Sequence, residues 1–131
     1  MKPFLYVCGV LGPLALLTAM ATDVPAAAGD AMRGEALYER RCTGCHSLDA
    51  NRVGPKHRGV FGRRAGGVAG YPYSRTLARA EVTWDDETLE RWLSDPQGFL
   101  PGQRMNIRVK DARDRADIIA FLKRESRESG N

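Results

Sequence analysis

The segment Cys42-Thr43-Gly44-Cys45-His46 constrains this chain more than any other part of its sequence. A Cys-x-x-Cys-His segment is the attachment signature of c-type haem. Each thiol can add to one vinyl group of the haem, and the adjacent imidazole then lies beneath the iron as an axial ligand. The motif therefore predicts one covalent haem c, bound through Cys42 and Cys45, with His46 as a ligand of the iron.

Three other uses of the two cysteines are weaker. A redox dithiol is expected near a strand-helix-strand pattern, which the sequence lacks. A zinc site needs two further Cys or His ligands, and after the first 28 residues only His57 is left outside the motif. A disulfide between cysteines so close together would enclose too short a loop to stabilise a domain. Haem attachment is therefore preferred.

The N-terminal segment has the order of a signal peptide. Met1-Lys2 precedes an almost uncharged apolar stretch over residues 4–21, and small residues follow up to Ala28. We expect cleavage after Ala28, with cleavage after Ala21 as the alternative. An uncleaved membrane anchor is a further alternative, because the apolar stretch is almost long enough to cross a bilayer.

A leader at residues 1–28 and one domain at residues 29–131 are therefore expected, with the mature protein in the periplasm. Cys8 falls within this leader. The formal net charge of the sequence is +4, and removal of the leader takes away Lys2 and Asp23 together, so the charge is kept. Modest basicity favours docking onto an acidic protein over nucleic-acid binding, and membrane association is expected only if the leader is retained.

Helical patterns alternate with loops rich in glycine and proline, and strand patterns are scarce, which predicts an all-α domain. Asp30 is a good N-cap for a first helix that runs to about Cys42. Residues 47–73 form a long loop, and a loop of this length in a small domain is usually functional. Ser74 begins a short helix that ends at Arg79.

Two longer helices follow. A capping box at residues 83–86 begins one of them, and Asp95-Pro96 ends it. A second loop covers residues 95–110, and Asp111 caps the last helix. The two apolar faces consist of Leu89, Trp92 and Leu93 in the first of these helices and of Ile118, Phe121 and Leu122 in the second.

The second axial position of the iron has three candidate ligands, Met105, Met32 and His57. Met32 falls on the first helix, where a methionine more often packs. Met105 lies in the second loop between Arg104 and Asn106, where no periodic pattern requires an apolar residue. A thioether ligand would account for this residue, so Met105 is favoured.

Several further segments follow the haem motif in a familiar order and spacing. They are VGP at residues 53–55, GVFGR at 59–63, GYPY at 70–73, TW at 83–84, PGQRM at 101–105 and RADIIAFL at 115–122. Together with the haem motif, they resemble class I cytochrome c, of the mitochondrial and bacterial c2-like soluble type. The resemblance covers nearly the whole mature chain, from residue 29 to residue 124.

This resemblance implies a cytochrome c fold, with about five helices and long loops wrapped around one haem whose edge is exposed. It implies His46 and Met105 as axial ligands, with the carbonyl of Pro55 accepting a hydrogen bond from the His46 ring. Arg63, Tyr73 and Trp84 match positions that hydrogen-bond or neutralise a buried haem propionate. Gly34 and Tyr38 match positions that pack against Ile118 and Phe121 where the terminal helices cross.

The sequence also departs from the family pattern. Trp92 replaces a tyrosine near the methionine sulfur, Gln103 replaces a threonine beside the methionine, Leu77 replaces an asparagine and Ile107 replaces an aromatic residue at the haem edge. Such changes affect the methionine–iron bond and the reduction potential. His57 falls on the His46 side of the haem at an apolar family position, which makes it a poor sixth ligand and favours surface exposure or polar packing.

A haem iron with both axial positions filled has no open site for a substrate, so we expect a monomeric electron carrier rather than an enzyme. Its partners would be acidic redox proteins in transient contact: a quinol-oxidising complex, an oxidase, a reductase or a dehydrogenase. A dedicated haem subunit of a periplasmic oxidoreductase is an alternative, and a peroxidase-like or ligand-binding haem protein is another. The resemblance implies a basic ring around the haem edge, to which Arg41, Arg52, Arg104, Arg108 and Lys110 would contribute.

Overall fold

The computed structural model describes residues 28–128, and within them the protein is built from helices and loops. The predicted leader, including Cys8 and the alternative cleavage point, lies outside the described residues except for Ala28. The helices are α1 (Ala31–Arg41), α2 (Arg75–Arg79), α3 (Asp86–Ser94), α4 (Pro96–Phe99) and α5 (Ala112–Glu128). Strand pairing in this part of the chain is limited to an isolated bridge between Arg64 and Thr83. The all-α prediction is confirmed. No helix within residues 28–128 combines the length and apolarity that crossing a membrane requires.

Helix α1 begins where the sequence predicts, because the Asp30 carboxylate accepts hydrogen bonds from the backbone N–H groups of Met32 and Arg33. The helix packs against α5 at close range. A Cβ on Gly34 would lie only 1.9 Å from the carbonyl oxygen of Asp117, so a larger residue could not occupy this crossing. The Tyr38 and Phe121 rings meet with their centroids 5.0 Å apart. This is the crossing of terminal helices that the resemblance implied.

Charged groups also join α1 to α5. Asp117 is fully buried, and its carboxylate accepts hydrogen bonds from the Asp30 backbone N–H, at 2.7 Å, and from the Arg33 guanidinium. The second guanidinium nitrogen of Arg33 lies 2.6 Å from Asp114, which also pairs with Arg41 at 3.2 Å. A buried carboxylate is tolerated because it is paired and hydrogen-bonded.

Helix α3 presents its apolar face to the core. Its capping box is formed by Asp85 and Thr88, each side chain bonding to the backbone of the other, and not by residues 83–86 as predicted. The box starts at Asp85 because the Asp85 carboxylate accepts the Thr88 N–H, at 2.8 Å. The helix packs against α5 and α4. Leu89, Trp92 and Leu93 are all buried, as predicted.

Helix α4 is a correction to the predicted loop over residues 95–110. Asp95 ends α3, and its carboxylate then accepts a hydrogen bond from the backbone N–H of Gly98 at 3.1 Å. Pro96 occupies the first helical position, where its fixed φ and missing N–H are tolerated. One residue thus serves as the C-cap of α3 and the N-cap of α4, and the new helix is too short to show a periodic pattern.

The loop at residues 47–73 contains no helix, as predicted, and backbone hydrogen bonds hold it to the segment before α3. The N–H of Gly62 donates to the Trp84 carbonyl at 2.7 Å, and the N–H of Trp84 donates to the Arg63 carbonyl at 2.9 Å. The loop is therefore held to the segment before α3 without forming a sheet.

Candidate haem-binding site

The two cysteines follow directly from the end of α1. Cys42 is the C-cap, and its N–H donates to the Tyr38 carbonyl at 2.8 Å. The N–H groups of Cys45 and His46 both donate to the Cys42 carbonyl, at 3.0 and 2.8 Å. Both thiols are free, with Cys42 half-buried and Cys45 exposed, and burial raises the pKa of the Cys42 thiol to about 11. This turn presents two thiols and an imidazole close together in the chain.

The His46 ring is oriented by the neighbouring loop. Its Nδ1 lies 2.8 Å from the Pro55 carbonyl oxygen, so Nδ1 donates the proton and Nε2 keeps the lone pair that can bind a metal. A Cβ on Gly54 would lie 2.1 Å from Cε1 of the ring, which shows how closely the backbone approaches it. Burial lowers the pKa of His46, against the opposing effect of its hydrogen bond to Pro55. The neutral tautomer required of an iron ligand is therefore favoured.

His57 lies against His46. The two rings are stacked with their centroids 3.9 Å apart, and the Tyr38 ring meets His57 edge-on at 5.7 Å. Burial lowers the pKa of His57 well below its ordinary value, and His57 Nδ1 has no hydrogen-bond partner among the described residues. The sequence favours surface exposure or polar packing for His57, whereas the structure places it between two aromatic rings.

The two methionines considered as ligands differ sharply. Met105 is half-buried and packs against the apolar core, in a loop where Gln103 hydrogen-bonds its backbone. Met32 is 72% exposed on α1, with its sulfur 3.5 Å from a guanidinium nitrogen of Arg124. The packing role expected for Met32 is therefore wrong, because its side chain lies at the surface beside Arg124 rather than in the core. Of the two, Met105 has the more enclosed thioether.

The residues expected to bind a haem propionate are Arg63, Tyr73 and Trp84. Arg63 is half-buried and donates to the carbonyls of Lys56 and Arg58, at 2.8 and 3.0 Å. Burial lowers the pKa of Arg63, which means that its charge is partly desolvated without full compensation. The Tyr73 hydroxyl accepts a hydrogen bond from a backbone N–H at 3.3 Å, and Trp84 is buried beside Trp92. A partly desolvated cation of this kind favours a nearby anion.

The sequence matches the family model "Cytochrome c" over residues 31–125. The chain belongs to the cytochrome c family. It is 40% identical over 103 residues to cytochrome c of Arabidopsis thaliana, an alignment that covers 76% of this chain and 92% of that protein. It is 45% identical over 85 residues to cytochrome c2 iso-2 of Magnetospirillum fulvum, covering 63% and 88%. Among solved structures, cytochrome cH from Methylobacterium extorquens aligns with a TM-score of 0.70 and 41% identity, covering 73% of this chain and 99% of that one.

As a member of this family, the protein is a monohaem electron carrier rather than an enzyme, and it has the class I cytochrome c fold. Its cofactor is one covalent haem c, and Cys42 and Cys45 fit the attachment motif of the family. Members of the family act as redox carriers with partner proteins.

The donor set of this cytochrome fits a haem. Two free thiols stand beside an imidazole whose Nδ1 is engaged and whose Nε2 keeps its lone pair. Gly54 leaves room for the His46 ring, and the side chain of any larger residue would occupy that space. No group of three or more His, Cys, Asp or Glu side chains within residues 28–128 is placed to hold a metal ion by itself.

The four residues that depart from the family pattern differ from one another in burial. Trp92 is buried with its ring centroid 5.2 Å from that of Trp84, and Leu77 packs on the edge of the core. Ile107 is exposed, and Gln103 is buried. The stacking of His57 and the contacts of Gln103 escaped sequence analysis, because neither an aromatic contact nor a buried amide leaves a periodic pattern in the chain.

Proposed function

We propose that this cytochrome is exported and carries single electrons between periplasmic redox partners, with its iron held by His46 and Met105. The observation that carries the proposal is the orientation of His46, whose Nδ1 bonds to Pro55 and whose Nε2 keeps its lone pair. The enclosed thioether of Met105 supports the second ligand, since thioether and imidazole are a usual axial pair in cytochromes c.

The haem supplies the one-electron chemistry, and the chain determines how the haem is held and approached. Cys42 and Cys45 would attach it at the end of α1. The hydrogen bond to Pro55 would keep the His46 ring in one orientation and raise its basicity as a ligand. Arg63, Tyr73 and Trp84 would hold a propionate with a partly desolvated cation and neighbouring donors.

Packing at the start of the domain supports a leader that is cleaved after Ala28. The backbone N–H of Asp30 is bonded to the buried Asp117, and a Cβ on Gly29 would lie 2.0 Å from the carbonyl oxygen of Ala116. Ala28 itself is exposed. Cleavage after Ala28 would therefore leave a mature chain whose first residue is already packed on α5.

Met105→Ala tests the axial ligand. In the haem-loaded protein, removal of the thioether should abolish the weak red charge-transfer band of methionine-bound ferric haem and open the iron to cyanide and carbon monoxide. Met32→Ala is the matched control, since it removes a methionine that is mostly exposed. Visible spectra and cyanide titration provide the measurement. An unchanged ligand-binding profile in Met105→Ala would reject Met105 as a ligand.

Export is tested separately by expressing the full chain in a bacterium that matures c-type cytochromes. The haem-stained protein should be found in the periplasmic fraction, and its N-terminal sequence should begin at Gly29. A haem protein that stays in the membrane fraction with Met1 in place would show instead that the leader is a retained anchor.

A further inference from the structure

A single buried side chain holds the backbone of Met105. Gln103 is 5% exposed, and its Nε2 donates to the Met105 carbonyl at 2.6 Å. Its Oε1 accepts a hydrogen bond from the Met105 N–H. Both backbone polar groups of residue 105 are thus bonded to the amide of residue 103. Residues 103–110 are not helical, so the Gln103 side chain provides the hydrogen bonds that a helix backbone would otherwise make.

The rest of the loop is tied down by different groups. Gln97, on α4, donates from Nε2 to the Gln103 carbonyl at 3.1 Å and to Asn106 Oδ1 at 3.0 Å. Its Oε1 accepts from the Gly102 N–H at 3.3 Å. Among the described residues, Gln103 is the side chain whose hydrogen bonds reach the backbone of Met105. Gln97 therefore supports the loop, whereas Gln103 fixes the residue that carries the thioether.

Rupture of the Gln103 contacts would be unfavourable because it would leave buried polar groups unbonded. A buried amide or backbone group that loses its partner costs more than the net gain of the original bond. With both backbone groups of residue 105 held, the Met105 side chain can move only through its own torsions. A ligand held in this way loses little further freedom when it binds.

We propose that Gln103 is a positioning residue that holds Met105 in reach of the haem iron and thereby protects the iron from added ligands. The inference rests on the proposed function, in which Met105 is an axial ligand. The residue acts through the Met105 backbone and not by contact with the haem. The sequence resemblance places Gln103 where the family usually has a threonine.

Gln103→Ala in the haem-loaded ferric protein is the direct test. Imidazole competes with a bound methionine, so its dissociation constant reports how firmly the thioether is held. We expect Gln103→Ala to bind imidazole about tenfold more tightly, which equals ~1.4 kcal/mol and is the order of one net hydrogen bond. The red charge-transfer band should disappear at correspondingly lower imidazole concentration. Gln97→Ala is the matched control, with the same side chain removed from the same loop, and should stay within about threefold of wild type.

Gln103→Glu provides a second variant if Gln103→Ala does not accumulate with haem. It keeps the size and the acceptor for the Met105 N–H but replaces the donor to the Met105 carbonyl with a carboxylate oxygen, so imidazole should bind more tightly than to wild type. Hydrogen exchange gives a further readout, because the Met105 amide should exchange slowly in the wild-type protein and should lose that protection in Gln103→Ala.

The outcomes separate this inference from the proposed function. A wild-type ferric spectrum without the methionine band would reject Met105 as a ligand and the positioning role with it. A wild-type protein that has the band, together with wild-type imidazole affinity in Gln103→Ala or Gln103→Glu, would reject the positioning role alone. Equal effects of Gln103→Ala and Gln97→Ala would also overturn it, since general loosening of the loop would then be sufficient.

Discussion

At the scale of single residues, the orientation of His46 depends on the absence of a side chain at residue 54. A Cβ there would lie 2.1 Å from the imidazole, closer than real Cβ contacts allow. We expect Gly54→Ala to displace the ring, weaken its hydrogen bond to Pro55 and destabilise the haem-loaded protein by about 1–3 kcal/mol. Urea unfolding followed through the haem absorbance measures the change.

Gly44→Ala is the control for this substitution, because a Cβ at residue 44 meets no atom within 4 Å. Residue 44 lies in the Cys-x-x-Cys-His segment that contains His46, and Gly44→Ala makes the same chemical change as Gly54→Ala. Similar losses of stability in the two variants would contradict a specific role for the Gly54 contact.

At the candidate site, the haem motif could be predicted from the sequence, whereas the contacts of His57 and the exposure of Met32 could not. The spacing of Cys42, Cys45 and His46 is local, so a motif captures it completely. The stacking of His57 on His46 depends on how the chain turns between them, and the sequence carries no periodic sign of that turn. The expectation that Met32 packs in the core is wrong, because a methionine on an amphipathic helix can lie on either face.

At the scale of elements, α1 and α5 make the most extensive helix–helix contact in the described chain. A Cβ on Gly34 would lie 1.9 Å from the Asp117 carbonyl oxygen, and neither backbone can move without separating the helices. Gly34→Ala should lower stability by about 1–3 kcal/mol, despite the better helix propensity of alanine. Urea unfolding followed by circular dichroism measures this. Arg40→Ala, an exposed change on the same helix, should stay within about 0.5 kcal/mol of wild type.

Two helix caps should make stability depend on pH in the acid range. Hydrogen bonds from the backbone N–H groups of Thr88 and Asp114 hold the pKa values of Asp85 and Asp111, respectively, below the ordinary value of 3.8. Because each folded-state pKa lies below the unfolded value, the stabilisation is complete above the unfolded pKa. It is lost as the pH falls through the folded pKa.

The double variant Asp85→Asn, Asp111→Asn tests this dependence. Asparagine caps helices well but does not titrate, so the urea midpoint of the variant should fall less between about pH 5 and pH 2 than that of wild type. An equally steep fall in both proteins would show that other carboxylates cause the acid sensitivity.

The helices with capping residues and apolar faces could be predicted from the sequence. Asp30, Ser74 and Asp111 each begin a helix at the expected place, whereas α3 is capped by Asp85, two residues after the start of the predicted box. Helix α4 could not be predicted, because four residues complete barely one turn. Its N-cap, Asp95, is also the C-cap of α3, and Asp95-Pro96 is a typical end of a helix. The prediction of a cytochrome c fold for the whole domain depended on the order of the motifs and not on helical periodicity.

At the scale of the whole molecule, the predicted basic ring divides into two kinds of arginine. Arg41 and Arg108 are paired with Asp114 and Asp95, at 3.2 and 2.6 Å. Arg52 and Arg104 instead donate to backbone carbonyls, at 2.6 and 2.9 Å, which orders the guanidinium without neutralising its charge. The second pair should therefore contribute more to the positive potential that an acidic partner meets.

Association with an acidic redox protein measures this difference. Electron transfer followed by stopped-flow absorbance should slow by about tenfold between low ionic strength and about 0.15 M salt. Charge reversal at Arg52 or Arg104 should reduce the salt dependence more than charge reversal at Arg41. A rate that is independent of salt would exclude electrostatic guidance, and equal slopes for the variants would exclude the distinction between the two kinds of arginine.

The crossing of α1 and α5 also sets an order of events in time. The hydrogen bond from Asp30 to Asp117 joins residues separated by 87 positions, so the first helix lacks its packing partner until the last helix has been made. A contact so distant in sequence requires both segments to be present, and closing the intervening chain costs conformational entropy. A chain that emerges from its N-terminus therefore exposes Cys42 and Cys45 before α5 exists. The two thiols can therefore be modified on an open chain before the last helix packs against the first.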